Sequence, residues 1–103
     1  MGTLIYGPQL RVISFDDRLV AHLEAAMLSK LRRQEPFAFT WKDAMAEGSV
    51  RHTIWVYPSI PLEFVFDDEL AGPLNRAWIE ELVKSANRGN LQVRPEPEPA
   101  LNA

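Results

Sequence analysis

Between positions 37 and 66 aromatic residues recur at every second place: Phe37, Phe39 and Trp41, then Trp55 and Tyr57, then Phe64 and Phe66. Seven of the ten rings in the chain lie there. A two-residue period puts side chains on one face of an extended strand, whereas a helix would scatter them around its circumference. The segment predicts three strands, at residues 36–42, 50–57 and 61–66. Residues 43–49 link the first two. Pro58-Ser59-Ile60-Pro61 links the second and third, because proline removes a ladder donor and belongs in a turn or at an edge.

The flanking segments supply the rest of a small domain. Residues 3–7 and 10–15 are short and apolar, with Gly7-Pro8 between them as a turn signal, which predicts an opening hairpin. Phe15-Asp16-Asp17 then starts a helix, with an aspartate as N-cap and acidic charge at the positive end of the helix dipole. Leu19, Leu23, Ala26, Met27 and Leu31 form one apolar stripe, so this helix is expected over 17–33, with Pro36 preventing its continuation. Asp67-Asp68-Glu69 reads as a solvated acidic turn. Gly72-Pro73 opens a second helix whose buried stripe is Leu74, Ala77, Trp78, Leu82 and Ala86, and Asn87-Arg88-Gly89-Asn90 stops it. Residues 91–94 add an edge strand.

The order is β-β-α-β-β-β-α-β. It predicts one α+β domain over residues 1–94, an antiparallel β-sheet with two α-helices packed on one face. Pro95-Glu96-Pro97-Glu98-Pro99 and the residues to 103 read as an acidic, disordered tail.

Composition excludes several kinds of chemistry. The 103 residues contain no cysteine and two histidines, His22 and His52, so neither a disulfide framework nor a thiol nucleophile is possible, and no metal site or cofactor is expected. The net charge of −3 argues against an indiscriminate electrostatic grip on nucleic acid. There is no basic-then-apolar leader and no run near the ~20 apolar residues of a membrane span, so a cytoplasmic protein without a membrane partner is expected.

Which rings are inside follows from the face each strand presents. Phe37, Phe39 and Trp41 share the core face of the first aromatic strand, and Leu62, Phe64 and Phe66 that of the third. The middle strand offers two registers. One buries Val50, His52, Ile54 and Val56; the other buries Arg51, Thr53, Trp55 and Tyr57. The first is preferred, since Arg51 and Thr53 are awkward core residues, and a one-residue slip exchanges the whole set. It makes His52 a hydrogen-bonded core histidine and leaves Trp55 and Tyr57 on the open face beside Thr40, Lys42, Arg51 and Glu63.

That group defines the candidate binding patch: Trp55, Tyr57, Arg51 and Lys42. Aromatic rings among cations anchor protein interfaces, and they also stack bases and neutralise phosphates. A third possibility is that another part of the chain covers the rings. Lys30, Arg32 and Arg33 form a secondary basic patch at a helix end, where the dipole alone accounts for the charges. Catalytic signatures are missing. The five glycines are scattered, no serine lies in a nucleophile elbow, and the paired carboxylates sit on exposed helix positions.

Several blocks resemble a family of short, uncharacterised actinobacterial proteins of roughly this length, often labelled ATP-dependent DNA ligase. The blocks are residues 1–7, residues 31–41 (Leu31 to Trp41), Thr53-Ile54-Trp55-Val56 with Pro58-Ser59-Ile60-Pro61-Leu62, residues 74–80 and Ala86-Asn87. What the resemblance implies is a link to DNA ligation. The residues speak against autonomous ligase activity. Such an enzyme needs a lysine nucleophile in a Lys-x-Asp-Gly context, and Lys42-Asp43-Ala44-Met45 has neither the spacing nor the glycine.

Two functions are therefore expected. One is a non-catalytic interaction module that uses the open sheet face for a homodimer or another protein partner. The other is a nucleic-acid binding protein, for a single strand or as a ligation accessory, in which the same rings stack on bases.

Overall fold

A computed structural model describes residues 1–44 and 48–99. Its elements are β1 (Gly2–Tyr6), β2 (Arg11–Phe15), α1 (Asp17–Leu31), β3 (Phe37–Ala44), β4 (Ser49–Val56), β5 (Leu62–Val65), α2 (Asp68–Ala71), α3 (Arg76–Asn87) and β6 (Asn90–Gln92). The fold is α+β, and the strands and two main helices follow the expected order. The one-turn α2 is additional. Asp67, read from sequence as part of a solvated turn, caps it by accepting from the amides of Glu69 and Leu70.

The strands divide into two sheets, β2-β1-β5 and β4-β3-β6. The link from Pro58 to Pro61 explains why β5 leaves its neighbour in sequence. Two of its residues have no N–H to give a ladder, and the Pro61 carbonyl accepts from the amide of Gly7, which seats β5 beside β1. The first sheet is antiparallel. In the second, β6 runs parallel to β3, which requires the long crossover that α3 provides as it packs against β3 and β6.

The helices and both inner sheet faces share one core, in which Leu4, Leu23, Met27, Phe37, Phe39 and Leu91 have no exposed surface. α1 lies on β1 so closely that a Cβ on Gly2 would sit 2.6 Å from Val20 Cγ2. Phe15 joins the sheets, meeting Phe39 and Trp41 edge-on at 6.0 and 5.9 Å.

Local chemistry corrects several boundaries. α1 ends at Leu31 and not at 33, because the Lys30 carbonyl accepts from both Arg33 and Glu35 and Gln34 turns left-handed (φ 60°). Asp16 occupies the cap position without a side-chain cap bond. Asp17 is buried instead, paired with the amino terminus at 3.2 Å, and the Asp67 amide holds its carboxyl below the usual range. α3 starts after Asn75 and not at Pro73, since the Asn75 side chain caps the Ala77 amide. That leaves Leu74 outside the helix and exposed. Phe64 and Phe66 are only half-buried, because β5 is an edge strand.

The free tail expected from residue 95 is corrected over its first part. Glu96 is clamped between Arg18 and Asn75, and the Pro97 carbonyl accepts from Asn75. Residues 100–103 and 45–47, part of the predicted tail and link, lie outside the described residues.

Candidate functional site

The β3–β4 ladder decides which side chains share a face. Ala38 pairs with Trp55, Thr40 with Thr53, and Lys42 with Arg51. These residues alternate with the core set, in which Ile54 and Val56 are buried. The preferred register is the one adopted, but it buries only Ile54 and Val56: Val50 is exposed and His52, expected in the core, is half-exposed. Trp55 is 52% exposed and Tyr57 43%, so the described residues bury neither ring. Parallel pairing of β6 adds Asn90 and Gln92 beside Ala38 and Thr40.

Hydrogen bonds close the centre of this outer face. Thr40 Oγ1 has a single proton and gives it to Asn90 Oδ1 at 2.9 Å. It must therefore accept the proton of Thr53 across the strand, also at 2.9 Å. This ladder buries Thr40 and leaves two separate zones on either side of it. Trp55 and Tyr57 lie toward one end of β4, and Lys42 and Arg51 toward the other.

Lys42 and Arg51 are exposed cations directly opposite one another. Among the described residues neither meets a carboxylate within ion-pair distance. Glu63, placed beside them from sequence, instead lies on the first sheet opposite Ile5, because β5 changed partners. A depression of about 490 Å³ opens beside the doublet, lined among others by Thr40, Lys42, Arg51, Gln92 and Arg94. The ladder thus puts Lys42, Arg51 and Trp55 on one face, and Tyr57 follows the last residue of β4.

β4 is also an edge. Among the described residues no strand pairs with it on the side away from β3. The Trp55 carbonyl points that way, since it accepts from Tyr6 Oη, and the pleat turns the main-chain groups of Arg51 and Thr53 in the same direction.

The secondary basic patch does not assemble as predicted. Lys30 is buried, donating to Asn87 Oδ1 at 2.6 Å and pairing with Glu35 at 3.0 Å, so it ties the end of α1 to the end of α3. Arg32 and Arg33 stay exposed at the C-terminal turn of α1.

One cluster was not expected from the sequence. His52 is half-exposed, stacks on Trp41 at 4.9 Å, and meets Asp43 through Nε2 at 2.9 Å and Arg11 through Nδ1 at 3.5 Å. Arginine only donates, so Nδ1 accepts and Nε2 gives its proton to Asp43. Both ring nitrogens are engaged, and neither is directed at open space where a substrate would sit. The arrangement seals the exposed end of the core over Trp41, with Arg11 lying 5.7 Å above that ring. A histidine two residues from a core isoleucine was its only sequence signal. Among the described residues no group of three or more histidine, aspartate or glutamate side chains is placed to hold a metal, and no helix is long and apolar enough to cross a membrane.

Residues 1–96 match a protein family described as a domain of unknown function, DUF7882. No curated protein and no solved structure matches the chain.

Proposed function

The chain belongs to the DUF7882 family, whose description assigns no activity, and from the surface itself we propose a non-catalytic interaction module that binds an acidic segment of a partner protein on the outer face of β4-β3-β6. The observation that carries this reading is the Lys42–Arg51 pair. Like charges directly opposite on neighbouring strands destabilise a sheet, and an anionic group lying between them reverses that penalty. Trp55 adds an exposed ring on the same face, of the kind that anchors interfaces. On the edge of β4 the main-chain groups of Arg51 and Thr53 are open to an added strand, up to the Trp55 carbonyl that Tyr6 already holds.

The alternatives fit this surface less well. A homodimer whose two-fold axis passes through the doublet brings one cation pair against another, which opposes that arrangement. Nucleic acid suits a ring beside cations. However, a phosphate-led grip needs a run of cations along the strand, and the other basic cluster has lost Lys30 to the interior. A ligation-accessory role, implied by the resemblance to proteins labelled DNA ligase, depends on that weaker reading.

The test uses Trp55 fluorescence with two probes, a peptide of alternating valine and glutamate and an oligothymidylate. The peptide is expected to shift the emission saturably, to bind less tightly as salt is added, and to lose binding in Arg51→Glu while circular dichroism stays unchanged. No response to the peptide at low ionic strength overturns the proposal. Tighter binding of the oligonucleotide than of the peptide replaces it with the nucleic-acid reading.

A further inference from the structure

Apart from the sheet face, Arg18 and Asn75 form a fork whose two arms are anchored by groups other than the one it holds. Arg18 Nη1 donates to the carbonyls of Ala71 and Pro73, which bracket the end of α2. This fixes the guanidinium plane and leaves its Nε–Nη2 edge outward. Asn75 is fixed as firmly. Its amide donates to His22 Nε2 at 2.8 Å, and its Oδ1 accepts from the Ala77 amide at 3.0 Å, so only Nδ2 remains free. His22 is fully buried, gives its Nδ1 proton to the Arg18 carbonyl at 2.7 Å and lies on Trp78 at 4.5 Å. Every donor is thus held by residues 18–78.

A carboxylate fills the fork. Glu96 accepts from Arg18 Nε and Nη2 at 2.7 and 2.8 Å, and from Asn75 Nδ2 at 3.0 Å. The same Nδ2 reaches the Pro97 carbonyl at 2.9 Å. A depression of about 460 Å³ continues from the fork past Pro73, Leu74 and Arg76 to Pro99. The bidentate edge selects a planar carboxylate, and prolines on both sides of Glu96 hold it extended before it binds, so little ordering is lost on docking.

We infer that this fork is a receptor for a glutamate-proline step in an extended proline-rich segment, that Glu96 and Pro97 occupy it in cis, and that the same segment offered in trans competes for it. Glu98-Pro99 repeats the step two residues later and fits the fork after a shift in register. Tethering gives the cis segment a high effective concentration, so a free peptide binds the intact chain weakly and the disarmed chain more tightly.

The experiment observes the side-chain N–H signals of Arg18 and Asn75 by NMR in the full-length chain. It compares wild type with Glu96→Gln/Glu98→Gln, and the probe is the acetylated, amidated peptide Arg-Pro-Glu-Pro-Glu-Pro. The double substitution is expected to move both signals. The peptide should return them at a concentration about tenfold below that which perturbs wild type, reflecting loss of the tethered competitor. A peptide with glutamine for glutamate should do nothing. Adding Arg18→Lys, which keeps the charge and removes the two-pronged edge, should weaken peptide binding about tenfold. Signals that ignore the double substitution, no response at millimolar peptide, or an equal response to the glutamine peptide would each overturn the inference. If the double variant does not fold, wild type with a spin-labelled peptide decides it. Selective broadening of the Arg18 and Asn75 signals supports the receptor, and its absence refutes it.

Discussion

β3 and β4 use the same backbone ladder to present two faces with opposite economies of surface. On the inner face Phe37, Phe39, Ile54 and Val56 are buried against helices and the other sheet. On the outer face Trp55 stays half exposed and two cations stand opposite each other without a counter-charge among the described residues. Apolar burial contributes about 25 cal/mol per Å², so the first face stabilises the chain while the second leaves a comparable ring unused. What separates them is cover: the inner face is enclosed by α1, α3 and the first sheet, and no described element encloses the outer one.

Substitutions can break that contrast. The largest effect is expected from Phe39→Ala, which removes a fully buried ring and should cost about 3–5 kcal/mol by urea unfolding. A loss under about 1 kcal/mol would mean that the inner face is less committed to the core than its burial implies.

An intermediate effect concerns β6, the third strand of the same sheet, which is tied down from beyond its end by Glu96. Arg18, and then Asn75, hold the Glu96 carboxyl at about 2 against an ordinary 4.5. A depressed value in the folded state means that the contribution is complete above the ordinary value and disappears as pH falls toward 2. Because the pair is partly solvated, Glu96→Gln should cost about 1 kcal/mol at neutral pH. The gap between the two unfolding curves should close through that acidic window.

Smaller still, Lys42→Glu converts a repulsive cross-strand pair into an attractive one. It should raise stability by about 0.2–1 kcal/mol while abolishing binding of the acidic peptide. A drop in stability would show that the doublet is already neutralised. Trp55→Ala should change stability by less than about 0.5 kcal/mol, the smallest shift of all, yet weaken peptide binding. Equal stability losses from Trp55→Ala and Phe39→Ala would erase the distinction between the faces.

Much of this contrast was legible in the sequence because it depends on alternation within single strands. The spacing of Phe37, Phe39 and Trp41, and the awkwardness of burying Arg51 and Thr53, were enough to orient β3 and β4. What alternation does not encode is which strands become neighbours. Glu63 was misplaced because β5 pairs with β1, a choice made by the Gly7–Pro61 hydrogen bond. Lys30 and Glu96 were misread for a related reason. Each looked solvated beside its sequence neighbours, and each meets a partner brought from far along the chain, Asn87 for one and Arg18 for the other. The start of α3 was missed because Pro73 and Asn75 are both acceptable openings, and the side-chain cap of Asn75 decides between them.

The parallel alignment of β6 with β3 has a consequence for the order of events during synthesis. The bond from Thr40 to Asn90 spans 50 residues, so the second sheet gains its third strand only after residue 90 has left the ribosome. Until then β3 has a bare margin on that side, and a nascent hairpin with an unpaired margin invites association with its own kind. Contacts this distant in sequence also slow folding. A pulse-labelling experiment on stalled chains of increasing length should find the β3 amides protected late, in step with the emergence of β6.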